Sequence, residues 1–303
     1  MTQEERNALQ RWAEHHKALA ADVPVEDWLS QSEIDKKRKK LEEDPIKWIK
    51  YFFPKYAKYE FAPFHVRAIK RVIEHDEWYE VLSWSRELAK STVAMFICMY
   101  LALTKRKRFF VLASATIDSA KRLLAPYKIN FESNPRIRQF YGSQVTLGQW
   151  TDGEFTAKCG AKFVALGAGS APRGARNEEV RPDVIYMDDY DTDEDCRNPE
   201  TLKKKWDWFE ASLYPTRSIS EPTLILWCGN IIAKDCCIKK AGAKARHWDI
   251  VNIRDKDGHS TWPAKNTEEQ IDTVLSNIST KSAQAEYFNN PVSEGTIFKY
   301  LPF

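Results

Sequence analysis

The sequence predicts an α/β fold with a mainly parallel central sheet flanked by helices, and three observations carry that expectation. Short apolar runs bounded by polar residues, at 81–84, 109–116, 181–189 and 223–230, have the length of buried strands rather than helices. Stretches with apolar residues at helical spacing separate them, as crossover connections between parallel strands require. Each run also ends in hydroxyl, carboxylate or amide residues, and strand ends of that kind face the ligand crevice of a parallel sheet. With 303 residues, 43% hydrophobic and 29% charged, the chain has room for one large α/β domain with a small appendage. The expected division is a helical segment over 1–50 and the α/β domain over 51–290.

Taken in order, residues 4–22 place Leu9, Trp12, Ala13 and Leu19 on one side of an amphipathic helix. The pair His15-His16 does not suggest a metal, because neighbouring helix positions point in different directions. A second helical region spans 25–53 and carries the charge block Asp35-Lys36-Lys37-Arg38-Lys39-Lys40, a solvated helix or a contact for DNA phosphates. The segment 51–65 is dense in aromatics and prolines. It reads equally as an aromatic core or as a clamp in which a turn at Pro63 stacks an adenine and His65 reads the polar edge of the base.

The run 81–84 leads into Ser85-Arg86-Glu87-Leu88-Ala89-Lys90-Ser91-Thr92, followed by a helix with Val93, Phe96, Ile97 and Tyr100 at helical spacing. A strand-to-helix turn ending in Lys and a hydroxyl residue is the layout of a phosphate-binding loop. Unpaired N–H groups and the positive end of the helix dipole would meet a polyphosphate there, Lys90 its β/γ oxygens and Ser91 a Mg²⁺ ion. The two glycines of the usual pattern are replaced by Trp84 and Ala89. Next, 109–116 is a strand ending in Ser114 and Thr116, positioned for phosphate contact or for capping the helix that starts at Ile117. Residues 151–166 alternate around a Lys-Cys-Gly-Ala turn and predict a hairpin. Then comes a glycine-rich loop with Arg173 and Arg176, either solvated or acting on something outside the loop.

The run ending Val184-Ile185-Tyr186-Met187-Asp188-Asp189 delivers two carboxylates at a strand tip. A phosphate-loop ATPase needs such a pair: Asp188 to hold Mg²⁺ and Asp189 to orient and deprotonate the attacking water. A calcium loop through Asp189, Asp191, Asp193, Asp195 and Glu200 is the weaker reading, since its glycine position is Glu194 and a strand precedes it. An amphipathic helix is expected over 199–214, and a further strand ends in Gly229-Asn230, where the amide either senses a γ-phosphate or makes a turn. Loop, paired carboxylates and polar tip together predict a P-loop NTPase of the RecA-like (ASCE) type.

Six cysteines without metal-ligand spacing indicate reduced thiols. A net charge of +3 is too small to argue for nucleic acid. No signal peptide or apolar run near eighteen residues is present, so no membrane is expected.

The order S-R-E-L-A-K-S-T, R-G-A-R, R-P-D-V-I-Y-M-D-D, the Pro199-Glu200 helix with Trp208-Phe209, Cys228-Gly229-Asn230, Thr261-Trp262-Pro263 and Glu286-Tyr287-Phe288-Asn289-Asn290-Pro291 resembles the large terminase subunit of tailed bacteriophages. The resemblance runs from about Phe61 to Pro291. It implies a DNA-packaging motor in the host cytoplasm that binds ATP and Mg²⁺. Its partners would be double-stranded DNA, a portal protein and a small terminase subunit, and it would assemble as a homo-oligomeric ring, a pentamer by resemblance. It further implies that Arg86 contacts phosphate, that Lys90, Ser91 and Asp188 hold phosphate and metal, and that Asp189 stands where the family usually has Glu. Asn230 then couples hydrolysis to movement, and Arg173 or Arg176 is a finger arginine serving a neighbouring subunit. The family's C-terminal nuclease domain would begin near 291–303, so no nuclease activity is expected of this chain. The alternatives are a superfamily-2-type helicase, which needs a second RecA-like domain, and a non-hydrolysing nucleotide-binding scaffold.

Overall fold

The computed structural model describes residues 24–172 and 180–292. The helix expected over 4–22 with its His15-His16 pair, the arginines Arg173 and Arg176, and the segment 293–303 lie outside the described residues.

Helix α1 (Gln31–Glu42) opens on a reciprocal cap: the Ser30 hydroxyl accepts from the Glu33 N–H, and the Glu33 carboxylate accepts from the Ser30 N–H at 2.8 Å. Two otherwise unpaired donors are satisfied in this way. Helix α2 (Pro45–Phe52) follows under an Asp44 cap. The single helical region expected over 25–53 is therefore two helices, because Pro45 has no N–H to continue the first. Ile34, Trp48, Ile49 and Phe52 belong to the main core.

The remaining elements alternate as a parallel sheet demands: α3 (Pro63–Glu74), β1 (Trp78–Trp84), α4 (Lys90–Leu103), β2 (Phe109–Ser114), α5 (Ile117–Ser133), α6 (Pro135–Tyr141), β3 (Glu154–Thr156), β4 (Lys162–Gly167) and β5 (Val184–Asp188). After these come α7 (Asp193–Arg197), α8 (Pro199–Trp208), β6 (Leu224–Cys228), α9 (Cys237–Lys244), β7 (His247–Val251), α10 (Glu268–Ser276) and α11 (Thr280–Phe288). The seven strands run in the order β3-β4-β2-β5-β6-β1-β7, and only the β3–β4 pairing is antiparallel. That pairing is the expected hairpin, and its turn uses Gly160 at φ +94°, a conformation glycine adopts without a Cβ penalty. Gly167 has a different cause: a Cβ there would lie 2.4 Å from the Ile117 N–H nitrogen, where α5 starts.

Side chains along the strands divide between two cores by the period of two that a pleat imposes. Leu82, Trp84, Phe110, Leu112 and Leu226 face the core that holds α2–α6, while Val81, Val111, Ile185, Met187 and Trp227 face the one that holds α8 and α9. Helix α4 is buried from Val93 to Leu103 and so is central rather than amphipathic. Two helices differ in length from the sequence expectation: the one starting at Ile117, expected to end at Leu124, continues to Ser133, and α8 stops at Trp208, giving way to a π turn (Phe209–Leu213) and a 3₁₀ turn (Tyr214–Thr216). Among the described residues no helix is long and apolar enough to cross a membrane.

The placement of β6 matters most for the site. It lies between β1 and β5 in parallel register, with Cys228 opposite both Leu82 and Asp188. The loop after β1, the tip of β5 and the tip of β6 therefore emerge side by side at one edge.

Candidate functional site

At that edge a cleft of about 620 Å³ is lined by Arg86, Lys90, Asp188, Asp189, Asn230 and Glu286, among others. A second cleft of about 450 Å³ lies against the same loop and is lined by Ser85, Ser91, Thr92, Tyr56, Tyr59 and Trp262, among others.

The absence of glycine has not prevented the loop from turning. Glu87 and Ala89 adopt φ +68° and +58°, and Ala89 stands directly before the first turn of α4. For residues with a Cβ this left-handed conformation costs about 1–2 kcal/mol each, which the surrounding contacts must offset. Several do so. The Ser85 N–H donates to the Val251 carbonyl at 2.8 Å, the Arg86 N–H donates to the Glu286 carbonyl at 3.0 Å, and Leu88 is fully buried. Lys265 pairs with the Glu87 carboxylate at 2.5 Å and also donates to the Glu87 carbonyl at 3.0 Å.

His65 belongs to this support and not to base recognition, which corrects the sequence reading. Its ring is fully buried; Nδ1 accepts from the Ala62 N–H at 3.0 Å, which leaves Nε2–H to donate to the Leu88 carbonyl at 2.9 Å. Both nitrogens are spent, and burial pushes the ring's pKa down to about 4, so it is neutral. Pro63 occupies the first position of α3, and neither residue lines the two clefts. The aromatic segment 51–65 is accordingly core in large part, with Phe52, Phe53 and Phe64 buried; Tyr56 and Tyr59 reach the second cleft.

Polar bonds from distant parts of the chain meet the loop's cations. Lys90 Nζ donates to Asn230 Oδ1 at 2.7 Å, and Asn230 Nδ2 donates to the Glu286 carbonyl at 2.6 Å. Arg86 Nε donates to Glu286 Oε2 at 2.5 Å, an ion pair that raises the guanidinium pKa further. Glu286 is a site residue that the sequence reading did not single out, since nothing local indicates that α11 returns to a loop 200 residues earlier. Asn289 ends α11 in the left-handed conformation and anchors it: Nδ2 donates to the Ser83 carbonyl and Oδ1 accepts from the Ile231 N–H.

On the opposite side of the cleft, Asp188 is 5% exposed. Its Oδ2 accepts from the Tyr186 hydroxyl at 2.7 Å, whereas Oδ1 has no hydrogen-bond partner. Burial, reinforced by the negative charge of Asp189, pushes the Asp188 carboxyl up to about 6; Tyr186, Ser91 and Lys90 pull the other way. A buried carboxylate oxygen with an unused lone pair, close to a serine hydroxyl and a lysine, suits a hard cation such as Mg²⁺. Asp189 is exposed at φ +40°, which turns the chain sharply at the strand end.

Two carboxylates of the acidic run beyond it bind protein groups. Asp191 accepts from the Cys237 and Ile238 N–H groups at 2.8 and 2.9 Å, capping α9, and Asp195 pairs with Lys205 at 2.7 Å. Among the described residues one group has metal-ligand spacing, Glu80 with His247 and Asp249, and Arg71 already forks onto Glu80. Thr116 caps α5 by accepting from the Ser119 N–H, while Ser114 lines the main cleft. The structure thus brings Arg86, Lys90, Asp188, Asp189 and Asn230 together, with Ser91 at the same loop.

No protein-family model matches the sequence, and no curated protein does. Among solved structures, the HK97 bacteriophage large terminase is similar with a TM-score of 0.54 and 12% identity, covering 82% of this chain and 55% of that one. A large terminase from a thermophilic bacteriophage, in complex with ADP, is similar at a TM-score of 0.48 and 13% identity, covering 76% of this chain and 53% of that one. The ATPase domain of the Thermus phage P74-26 large terminase follows at a TM-score of 0.46 and 14% identity, with coverage of 74% and 93%. The chain spans about half the length of the HK97 protein, and it is the likeness to that structure that carries the comparison. The seven-stranded, mainly parallel sheet flanked by helices, with β6 inserted between β1 and β5, has the fold of the HK97 large terminase structure.

Proposed function

We propose that this chain is the ATPase module of a DNA-packaging motor of the large-terminase type, hydrolysing ATP to drive double-stranded DNA. The observation that carries the proposal is the meeting of Lys90 and Asp188–Asp189 in one cleft, with Asp188 Oδ1 buried and unpartnered. Lys90 and Arg86 supply positive charge to the phosphates, and both already rest on groups that a polyphosphate can replace, Asn230 and Glu286. Ser91 and Asp188 are the residues that would hold Mg²⁺, whose charge favours the negative charge developing on the transferred phosphoryl group. Asp188, with a pKa near 6, is ionised at neutral pH and can serve as a ligand. Asp189 is exposed in the cleft, where its carboxylate orients a water and accepts its proton. Asn230, bonded to Lys90 on one side and to α11 on the other, links the phosphate site to the C-terminal helix. Tyr56 and Tyr59 offer aromatic surface for the base in the adjoining cleft, in place of Pro63 and His65.

In this proposal the motor acts in the host cytoplasm as a ring of like subunits, a pentamer, docked on a portal protein, with a small terminase subunit delivering the DNA. Arg173 or Arg176 would complete a neighbouring subunit's site. The first test is steady-state phosphate release. Lys90→Ala and Asp189→Ala should each fall about 10²–10⁴-fold below the unsubstituted protein; equal background rates for all three would remove the enzyme assignment. Mixing Arg173→Ala or Arg176→Ala subunits with Asp189→Ala subunits should restore part of the activity, and no restoration at assembling concentrations would refute action in trans.

A further inference from the structure

We infer that Lys205, on α8, is a positioning residue for hydrolysis: its buried ammonium holds the backbone just past Asp189, so that the Asp189 carboxylate stays in the cleft in its left-handed conformation. This rests on the ATPase reading above and adds a residue that reading does not need.

Lys205 is 8% exposed, an uncommon place for an amine. The ammonium donates to the Tyr190 carbonyl and, at 2.7 Å, to Asp195 Oδ2. In return the Tyr190 hydroxyl donates to the Lys205 carbonyl at 3.0 Å. The Tyr190 ring stacks on Trp208 at 6.1 Å and meets Trp227 edge-on at 5.5 Å. Tyr190 is therefore fixed through its carbonyl, its hydroxyl and its ring. On the other side of Asp189, its own N–H donates to the Cys228 carbonyl at 3.2 Å, holding the end of β5 against β6. Asp189 lies between these two fixed points at φ +40°. A non-glycine residue persists in that region only where its surroundings impose it.

The chemistry of the amine singles it out from the rest of the clamp. Burying an ammonium costs solvation, which the Asp195 carboxylate and the Tyr190 carbonyl offset, so loss of the amine is destabilising by itself. The ion pair with Asp195 accounts for that stability; the donor aimed at the Tyr190 carbonyl gives direction to the backbone besides. Without that bond the Tyr190–Asp191 peptide loses its anchor, the turn relaxes back to Asp189, whose φ returns toward its ordinary negative range, and the carboxylate swings away from the position of the attacking water.

The test combines unfolding with kinetics. Four proteins are unfolded in urea: the unsubstituted chain, Asp189→Gly, Lys205→Met and the double variant. Glycine relieves the strain only while the clamp imposes it, so the change in unfolding midpoint on Asp189→Gly should be more favourable in the unsubstituted protein than in Lys205→Met, the cost of glycine in the unfolded chain and the loss of the Asp189 charge being common to both. Equal changes in both backgrounds would overturn the inference, whether or not the protein hydrolyses ATP. In steady-state hydrolysis, Lys205→Met should lower kcat about 10- to 100-fold with KM for ATP within about twofold, the signature of a misplaced group. It should add nothing in the Asp189→Ala background. A raised KM at unchanged kcat, or a full additional loss on top of Asp189→Ala, would also overturn it. If the unsubstituted protein releases no more phosphate than Lys90→Ala, it is the ATPase reading that falls, and the unfolding cycle still decides the role of Lys205. Lys205→Leu, which also lacks a donor, replaces the methionine variant throughout if the latter aggregates.

Discussion

The two sides of the cleft are built by different means. The loop after β1 is held by residues far along the chain: Glu286 and Lys265 lie 200 and 178 positions from their partners, and Asn230 lies 140 from Lys90. The acidic tip is held by α8 and α9, through Lys205 at 15 positions and through Cys237 and Ile238 at 46 and 47. Each side nevertheless contains non-glycine residues at positive φ: Glu87 and Ala89 in the loop, Asp189 at the tip. Backbone strain is thus imposed by long-range closure on one side and by a local clamp on the other. The loop side should respond to changes in α11, and the tip side to changes in α8.

Four substitutions sharpen that contrast, and the largest effect belongs to the tip. Burial raises the pKa of Asp188 from the ordinary 3.8 to about 6, so the fold favours its neutral form. Its contribution to stability is present below about pH 4 and is lost as pH rises through 6. Asp188→Asn should therefore stabilise the protein by up to ~3 kcal/mol at pH 7 and by almost nothing at pH 4, while abolishing hydrolysis. Urea unfolding at the two pH values measures it, and a gain that does not depend on pH would show that charge burial is not the cause. His65 has the opposite sign: its pKa is lowered from 6.5 to about 4, so its contribution is complete above pH 6.5 and falls away as pH drops toward 4.

Second in size is Asn289→Ala, which removes the buried anchor of α11 and leaves the Ser83 carbonyl and Ile231 N–H without that partner. A loss of about 2–3 kcal/mol is expected. Nucleotide affinity, measured by ADP calorimetry, should weaken while single-turnover chemistry changes little. A fall in the chemical step alone would break the division between the two sides. Third, Ala89→Gly should stabilise by ~0.5–1 kcal/mol in thermal unfolding, because glycine accepts φ +58° without the Cβ penalty. A loss of stability would mean that the cost of glycine in the unfolded chain outweighs the strain. The smallest effect is expected for Lys265→Ala. Its partner Glu87 is 61% exposed, so water screens the pair and less than ~0.5 kcal/mol should be lost; a larger loss would make this contact a principal support of the loop.

The sheet was legible because its strands are short, apolar and doubly buried, a pattern read locally. Lys90, Asp188 and Asn230, singled out from the sequence, line one cleft: Lys90 opens α4, Asp188 ends β5 and Asn230 follows β6. Glu286 and Lys205 were not legible. Glu286 lies on a helix whose route back to the loop depends on Asn289 meeting Ser83 and Ile231, contacts 206 and 58 residues apart in sequence. Lys205 reads as one of three consecutive lysines on an amphipathic helix, and only packing turns it inward. His65 failed for a related reason, since an imidazole near a binding loop looks the same whether it faces the ligand or the core. The break between α1 and α2 is signalled locally by Asp44-Pro45, a cap followed by a residue without an N–H.

The sequence by itself determined the α/β class and which polar residues stand at the strand ends, because hydrophobic periodicity and the chemistry of strand ends are set by neighbouring residues. The tertiary structure decided which distant groups fill the loop's cations, which histidine nitrogens are spent and how Asp189 is held in a conformation it does not prefer. Those outcomes depend on closure between segments far apart in the chain, and closure is set by the packing of the whole sheet rather than by any local pattern.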